Sequence, residues 1–341
     1  MHESPLYAAI DLHSNNSFLT ILDASDHVVY ERRLKNRLPE ILSALKPHRE
    51  RIVAVAVEST FNWYWLVDGL AEDGYEVRLV NTAAVQQYSG LKYADDRHDA
   101  RWLAQLMRLG ILPVGYIMPK AHRALRDLLR KRVRLVQQRT ANLLSLQNLK
   151  QRNEGVPVTV NDLRSLDVEA LTRNEPNAHR AMALSTTLDV IMALDAQIAK
   201  LEQAILDSVK TSEDWKRLTT MWGVGKILAM TIHLETGPVD RFASPGDYAS
   251  YCRCVRAQRI SNGKSKGSGN AKCGNRYLAW AWMEASNFAI RYYPQARRFY
   301  DRKKARTNTI VARAALAHKL ARAGWHVMHE RVKFDPARVF G

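Results

Sequence analysis

The segment Ile52-Val-Ala-Val-Ala-Val-Glu58 is a short apolar run, rich in β-branched residues, that ends in a carboxylate. A run of this kind is typical of a strand that is buried on both faces of a sheet. A second apolar run, Leu6-Tyr-Ala-Ala-Ile-Asp11, also ends in an acid. The two runs predict the centre of an α/β domain, with Asp11 and Glu58 at strand ends.

The flanking sequence extends this prediction in both directions. Alternating apolar residues predict two further strands in a meander and a third strand later in the chain, and apolar residues at helical spacing predict three helices. The predicted strands are 17–23, 27–34 and 75–81, and the predicted helices are 39–47, 61–71 and 96–109. The order βββαβαβα resembles a ribonuclease-H-like (RuvC-like) domain, although it is compatible with other mixed sheets.

Beyond residue 115 the pattern is mainly helical. The first long helix combines an apolar stripe (Leu125, Leu128, Leu129, Val133, Val136) with an arginine-rich face that is either solvated or bound to nucleic acid. The second carries a coiled-coil seam, Leu184 to Ile205, which could pair within one chain or between chains. We therefore predict three regions: an α/β domain over 1–115, a helical coiled-coil region over 116–212, and a mainly α-helical domain over 213–341.

The 341-residue chain has a net charge of +17, and the basic excess is concentrated in one region. The last 102 residues hold 21 Lys and Arg against 6 Asp and Glu, whereas the first 100 hold 10 against 15. Segregated positive charge is typical of a surface that binds a phosphate backbone, although a merely solubilising surface is the alternative. No uninterrupted apolar run is long enough to cross a bilayer, and three cysteines do not form a disulfide scaffold, so we expect a cytoplasmic protein without a membrane partner.

Four carboxylates in the first domain are candidate metal ligands. Asp11 and Glu58 end predicted strands, and Asp96 and Asp99 lie three residues apart at the start of a predicted helix, where they share a face. Carboxylate oxygens are ligands for Mg²⁺, and a pair of such ions can stabilise the attacking and leaving oxygens of phosphoryl transfer. Favourable interaction of first-turn acids with the helix dipole is an alternative for Asp96 and Asp99, and Asp95 could replace Asp96 by spacing.

Two segments of the last region could contact nucleic acid. The turn Gly223-Val-Gly225-Lys226 precedes an apolar helix, as in half of a helix-hairpin-helix element, and its backbone amides could hold a phosphate. A simple tight turn is equally compatible with it. Ser261 opens a Gly/Ser/Lys-rich loop as a candidate nucleophile, with Ser265 and Ser268 as alternatives, and four nearby cations could hold the scissile phosphate: Lys264, Lys266, Lys272 and Arg276. A flexible solvated loop without a catalytic role is the alternative, and composition alone favours it.

Taken together, these motifs resemble the DEDD transposases of bacterial insertion sequences, a group that includes bridge-RNA-guided recombinases and pilin-gene invertases. The resemblance covers nearly the whole chain. It rests on five segments in this order: Tyr7-Ala-Ala-Ile-Asp11, Val55-Ala-Val-Glu58-Ser-Thr, Asp96-Arg-His-Asp99-Ala-Arg101, Gly223-Val-Gly225, and Ser261 followed by Lys272-Cys-Gly274.

The resemblance implies a function and its residues. Asp11, Glu58, Asp96 and Asp99 would occupy the metal-binding positions, and Ser261 that of the nucleophilic serine, which attacks a DNA phosphate so that strands are exchanged. It further implies double-stranded DNA, a structured guide RNA encoded by the element, and a homo-oligomer as partners, in the nucleoid of a bacterial cell. Two other functions stay open on the residues alone: a metal-dependent nuclease that hydrolyses Holliday-junction-type DNA without Ser261, and a non-catalytic nucleic-acid-binding protein.

Overall fold

The computed structural model describes residues 4–85, 95–155, 159, 162, 167–173, 175–208, 212–255, 258–268 and 273–341. The chain forms two compact units, Met1–Lys120 and Ala121–Gly341. The predicted division into three regions, with boundaries near 115 and 212, stays a prediction.

Unit 1 contains a five-stranded mixed sheet. Its strands are β1 (Leu6–Leu12), β2 (Asn16–Leu22), β3 (Val28–Lys35), β4 (Ile52–Glu58) and β5 (Val77–Val80), in the order β3-β2-β1-β4-β5. β1, β2 and β3 form an antiparallel meander, whereas β4 and β5 run parallel to β1. Its helices are α1 (Leu38–Leu45), α2 (Tyr64–Glu72), α3 (Thr82–Val85) and α4 (Asp96–Arg108).

The two faces of the sheet are covered by different helices. Alternate residues of β1 and β4, such as Ile10 and Val57, enter a core with α1 and α2. The intervening residues are small on the opposite face, where Ala9, Ala54 and Ala56 contact the buried side of α4. Because the side-chain direction alternates along a strand, Asp11 and Glu58 follow the alanines onto the α4 face.

The predicted elements of unit 1 are confirmed, with boundaries shifted by up to three residues. The mixed sheet and the mostly helical second unit agree with the α/β and α-helical parts of the predicted fold class.

Unit 2 is built mainly of helices. They are α5 (Lys120–Glu154), α6 (Val168–Thr172), α7 (Ala178–Ser208), α8 (Glu213–Leu218), α9 (Lys226–Thr236), α10 (Pro245–Tyr251), α11 (Arg276–Tyr292), α12 (Pro294–Arg306), α13 (Thr309–His329) and α14 (Pro336–Phe340). The main core of this unit surrounds the fully buried Trp282 of α11 and Tyr248 of α10.

The predicted coiled-coil seam packs within the chain. Leu184 and Leu188 of α7 share a core with Leu143 and Leu146 of α5, and two ion pairs, Arg139–Asp195 and Arg132–Glu202, show that the helices run antiparallel. By length and composition alone α7 is long and apolar enough to cross a membrane, but core helices of soluble proteins meet the same two conditions. Polar residues interrupt this helix, so it contains no long uninterrupted apolar run.

The arginine-rich face of α5 is not simply solvated. Arg123 and Arg126 are buried, and Arg130 donates two hydrogen bonds to Glu235 of α9, whose side chain is 1% exposed. Asn275, the N-cap of α11, donates to the same carboxylate over 2.7 Å. These polar contacts join three helices of unit 2, so a large part of this positive charge has a structural use.

The first part of the glycine- and serine-rich loop predicted from Ser261 to Gly274 is a β-hairpin, and residues 269–272 lie outside the described residues. β6 (Gln258–Ser261) pairs antiparallel with β7 (Lys264–Ser268), and Asn262-Gly263 connects them. Both turn residues have positive φ, 51° and 70°, as a two-residue type I′ turn requires. The loop prediction was wrong here because composition was weighed above the Asn-Gly signal.

Candidate metal centre and nucleic-acid interface

Asp11 and Glu58 are brought together by strand register. Ile10 of β1 is paired with Val57 of β4 in the parallel ladder, so the next residues of the two strands, Asp11 and Glu58, are neighbours at the carboxyl ends. Asp11 is 2% exposed, whereas Glu58 is half-buried. The predicted placement of two acids at adjacent strand ends is therefore confirmed.

The start of α4 brings Asp96 and Asp99 to the same place. Ala100 and Ala104 of α4 are fully buried against the alanine-rich face of the sheet, so the helix approaches the strands closely. Ion pairs with the β2–β3 side of the unit hold α4 in orientation: Arg97 and Arg101 pair with Glu31, and Arg108 donates two hydrogen bonds to Asp26. The Arg101 of the Asp96–Arg101 motif thus anchors the helix that carries the two acids.

Asp95 has a separate role from Asp96. The Asp95 carboxylate accepts a 2.7 Å hydrogen bond from the backbone N–H of His98 and caps the N-terminus of α4. Asp96 instead accepts a 2.6 Å hydrogen bond from Arg33 through Oδ2. Its other oxygen, Oδ1, lies 3.0 Å from the Nε2 atom of His13. The geometry therefore favours Asp96 over Asp95 as a member of the cluster.

His13 lies between two of the four predicted acids. Its Nε2 atom is 3.1 Å from Asp11 Oδ2 and 3.0 Å from Asp96 Oδ1. Asp11 Oδ2 and His13 Nε2 are buried atoms, and neither makes a hydrogen bond of good geometry with any part of the chain that the structure describes. An unsatisfied carboxylate oxygen in such a position is costly unless a cation compensates it.

The main chain of His13 is fixed by three hydrogen bonds. The side-chain amides of Asn36 and Asn62 both donate to the His13 carbonyl, over 2.8 and 3.1 Å, and the His13 N–H donates to the Asn16 carbonyl over 3.0 Å. The imidazole is therefore held beside Asp11 by the loop that follows β1. His13 was not among the site residues predicted from the sequence. Its position two residues after Asp11, which places the two side chains on one face of an extended segment, was the available signal.

The acids of the cluster perturb one another electrostatically. Burial, together with a hydrogen bond and repulsion from Asp11 and repulsion from Asp99, raises the pKa of Glu58 to about 8. Desolvation and repulsion from Asp11, Asp95 and Asp96 also raise the pKa of Asp99. Desolvation acts in the same direction on Asp96, but the hydrogen bond from Arg33 and the nearby His13 outweigh it and lower the pKa of that carboxyl.

This arrangement fits a divalent cation. The ligand atoms of Asp11, His13 and Asp96 lie within 4.8 Å of one another, and Asp11 also interacts electrostatically with Glu58 and Asp99. A bound cation would oppose the burial and repulsion that otherwise keep Glu58 protonated. The four acids predicted from the sequence are thus brought into one cluster, and a histidine is added to them.

The Gly223–Gly225 turn lies beside an open groove of unit 2. Gly223 has a φ of +78°, and a Cβ atom there would lie 2.0 Å from the carbonyl oxygen of Ala285, so a glycine is required. Gly225 is the N-cap of α9 and makes no side-chain cap, and a Cβ on it would meet nothing within 4 Å. The groove, of about 1050 Å³, is lined by the turn, by the exposed Lys226, and by arginine and aromatic side chains that include Arg132, Arg139, Trp280, Phe288 and Tyr292.

The Ser261 region is an exposed cationic hairpin. Ser261 is directly opposite Lys264 in the antiparallel ladder, and Lys266 follows two residues later on the same face. All three residues are exposed. Arg276 begins α11 and donates a 2.9 Å hydrogen bond to the Tyr277 hydroxyl. Lys272 lies outside the described residues, and so do the contacts of its side chain.

Comparison with known proteins shows one family over most of the chain. Residues 8–151 match the sequence model of a protein family, the DEDD transposases of the IS110 type, which is described as a transposase. Residues 215–301 match a second family model, described as a transposase of the IS116/IS110/IS902 family. A probable family 20 transposase of Pseudomonas aeruginosa is 25% identical over 92% of this chain and 94% of its own length.

Two transposases of named insertion sequences are similar over nearly their full lengths. The transposase for insertion sequence element IS1111A of Coxiella burnetii is 22% identical over 90% of this chain and 85% of its own. The transposase for insertion sequence element IS1328 of Yersinia enterocolitica is 22% identical over 96% of this chain and 97% of its own. DEDD transposases use a divalent metal, and transposases act on DNA. The acid cluster, the basic helical unit and these matches agree: the chain belongs to the DEDD transposases of insertion sequences and is a DNA transposase.

Proposed function

We propose that this transposase cleaves and rejoins DNA strands by means of a Mg²⁺-binding carboxylate cluster in unit 1, which has a ribonuclease-H-like fold, and a serine nucleophile, Ser261, in unit 2. The observation that carries the proposal is the buried Asp11 Oδ2 atom. It lies among three further acids, 3.1 Å from His13 Nε2, and makes no hydrogen bond of good geometry within the described part of the chain.

In the metal centre, Asp11, Glu58, Asp96 and Asp99 are the proposed ligands. Mg²⁺ held there would supply positive charge to the oxygens of the phosphate under attack. Arg33 orients Asp96 through its 2.6 Å hydrogen bond, and the pairing of Arg97 and Arg101 with Glu31 sets the position of α4. Binding of the metal would release the proton that Glu58, whose pKa is raised to about 8, otherwise holds at neutral pH.

Ser261 is proposed to attack the scissile phosphate. Its Oγ atom forms a bond to phosphorus while a bridging P–O bond of the DNA breaks, and the proton lost by the serine hydroxyl is balanced by one taken up by the leaving sugar oxygen, which becomes a free hydroxyl. A sugar hydroxyl of another strand then attacks the serine phosphoester and releases Ser261, which completes strand exchange. Lys264 and Lys266, on the same face of the hairpin as Ser261, favour the negative charge of the phosphate. Ser265 and Ser268 are the alternative nucleophiles.

We further propose double-stranded DNA as the substrate, with a structured guide RNA encoded by the element as a partner in the bacterial cytoplasm. Gly223, Gly225 and Lys226 would hold a backbone phosphate, since Gly225 leaves the first amides of α9 without a side-chain cap. A homo-oligomer is part of the proposal: Met182, Val190 and Met192 of α7 are exposed apolar side chains, although α7 also packs on α5.

The proposal is tested by capturing the protein–DNA intermediate. The full chain is expressed with the RNA flanking its gene, incubated with Mg²⁺ and DNA carrying the ends of the element, and resolved on a denaturing gel. We expect a covalent protein–DNA band that is lost in Ser261→Ala and in Asp11→Asn but kept in Ser250→Ala, a control at an exposed serine of α10.

Other outcomes assign the reaction differently. Loss of the band in Ser265→Ala or Ser268→Ala, with Ser261→Ala active, would move the nucleophile within the hairpin. Cleavage without a covalent band, dependent on Asp11 and independent of Ser261, would support the hydrolytic Holliday-junction nuclease instead. Full activity of Asp11→Asn would contradict the metal centre.

A further inference from the structure

The position of His13 carries an inference beyond the four acids. Its Nε2 atom is buried, makes no hydrogen bond of good geometry within the described residues, and lies at nearly equal distances, 3.1 and 3.0 Å, from oxygens of Asp11 and Asp96. We propose that His13 is itself a ligand, so that Asp11, His13 and Asp96 form a mixed nitrogen and oxygen site that prefers Mn²⁺ and related transition ions to Mg²⁺. This inference rests on the proposed metal centre.

The distances match those between neighbouring corners of a coordination octahedron. With metal–ligand bonds of about 2.1 Å, two donors at right angles lie about 3.0 Å apart. The two separations from His13 Nε2, to Asp11 Oδ2 and to Asp96 Oδ1, agree with that value. An ion at this centre therefore requires only small side-chain movements.

The chain fixes the main chain of His13 and the carboxylate of Asp96 before any ion binds. Asn36 and Asn62 hold the His13 carbonyl, and Arg33 holds the Asp96 oxygen that faces away from His13. Asp96 Oδ1 and Asp11 Oδ2 are thereby left directed toward the imidazole. Outer contacts of this kind, which orient ligands, are a regular feature of protein metal sites.

An imidazole nitrogen changes the metal preference of an oxygen site. Mg²⁺ is a hard cation that takes oxygen ligands, whereas imidazole suits first-row transition ions, whose affinity rises from Mn²⁺ toward Cu²⁺. Glu58 and Asp99 instead interact electrostatically with Asp11. The cluster therefore offers two unequal environments, one with a nitrogen donor and one composed of carboxylates.

The proposal is tested with Mn²⁺ as a spectroscopic probe of the full chain. Electron spin-echo measurements on the protein with one equivalent of Mn²⁺ should show a ¹⁴N coupling from a directly bound imidazole. The coupling should disappear in His13→Ala and persist in His27→Ala, which removes an exposed histidine paired with Asp23. Calorimetry should show that His13→Ala weakens Mn²⁺ binding by at least about tenfold, the lower end of the loss seen when even an outer partner of a metal site is removed. Mg²⁺ binding should change much less.

The outcomes separate this inference from the proposed function. Tight Mn²⁺ binding that is lost in Asp11→Asn, but shows no ¹⁴N coupling in the unmodified protein, would keep the carboxylate centre and overturn the role of His13 as a ligand. The spectrum of the unmodified protein decides this even if His13→Ala fails to fold. Absence of binding by either ion would contradict the metal centre itself. Equal losses of Mn²⁺ and Mg²⁺ affinity in a folded His13→Ala would overturn the proposed selectivity.

Discussion

Arg101 on α4 donates from its guanidinium to both carboxylate oxygens of Glu31 on β3, across 70 residues of sequence. Glu31 is 9% exposed and also pairs with Arg97, so one acid holds the first two turns of the helix that presents Asp96 and Asp99. Hydrogen bonds from the two arginines, against the opposing effect of desolvation, lower the pKa of Glu31. The carboxylate is therefore ionised at neutral pH, and the pairing is available throughout that range.

Removing this anchor should weaken the metal centre without removing any proposed ligand. We expect Arg101→Ala to lower divalent-metal affinity by about 10- to 100-fold, as is usual when an outer partner of a metal site is lost. Calorimetry with Mg²⁺ and Mn²⁺ measures the change. Arg49→Ala, which removes an exposed ion pair with Asp73, serves as the control. Equal affinities for the two variants would show that the apolar face of α4 and its ion pairs through Arg97 and Arg108 position the helix without Arg101.

Glu58 should make the stability of the metal-free protein depend on pH. Its folded-state pKa is about 8 against an ordinary value of 4.5, so the folded chain holds a proton that the unfolded chain releases. The contribution of Glu58 to stability is therefore complete below about pH 4.5 and is lost as the pH rises through about 8. We expect the melting temperature without metal to fall across this range, and saturating Mg²⁺ to oppose the fall.

Substitution of Glu58 provides the check on this assignment. Glu58→Gln removes the titrating group, so the decline in melting temperature between about pH 5 and 8 should become shallower. Glu50→Gln, at an exposed position on the turn before β4, should keep the original slope. Parallel curves for Glu58→Gln and the unmodified chain would assign the pH dependence to another group.

Much of unit 1 was predictable because its signals are local. The apolar runs before Asp11 and Glu58 specify buried strands, and alternation within them specifies which face the acids share. The cluster was found from strand ends and the i, i+3 spacing of Asp96 and Asp99. The Arg101–Glu31 pair could not be predicted, since it depends on how a helix crosses a meander far away in sequence. His13 could have been found by the same alternation rule.

Unit 2 was predicted less well because its contacts are mostly between helices distant in sequence. The apolar seam of α7 was evident, but whether it packs within or between chains depends on its partner, which proved to be α5. The burial of Arg123 and Arg126 ran against composition, which favours exposure of arginine. The Asn262-Gly263 hairpin was predictable from two residues and was missed because the surrounding glycine and serine content was read as a loop.

The geometry of that turn leads to a prediction about the proposed nucleophile. Gly263 has a φ of 70°, and a side chain in this left-handed conformation costs about 1–2 kcal/mol. Gly263→Ala should therefore disturb the hairpin that presents Ser261 and lower the yield of the covalent protein–DNA band. The melting temperature should change little, because Ser261 and Lys264 at the turn are exposed. An undiminished band would mean that the hairpin shape does not position the nucleophile.

Gly223 and Gly225 form a matched pair in which one glycine is needed by the fold and the other is not. Gly223→Ala introduces a Cβ 2.0 Å from the Ala285 carbonyl at a positive φ, so unfolding should become easier by more than about 1 kcal/mol. Gly225→Ser places a favourable N-cap residue in open space at an ordinary φ of −78°, so stability should be kept or improved. Thermal melting of both variants tests this contrast.

The same Gly225→Ser variant tests whether the turn binds a phosphate. The new hydroxyl would accept a hydrogen bond from an amide at the start of α9, which is then no longer available to the DNA. We expect affinity for duplex DNA to fall by about tenfold, equivalent to one hydrogen bond to a charged group. Lys226→Ala should weaken binding too, and should reduce its salt dependence by about one counterion. A Gly225→Ser protein that is stable and binds DNA with unchanged affinity would mean that the Gly-Val-Gly turn serves only to bring α9 against α11.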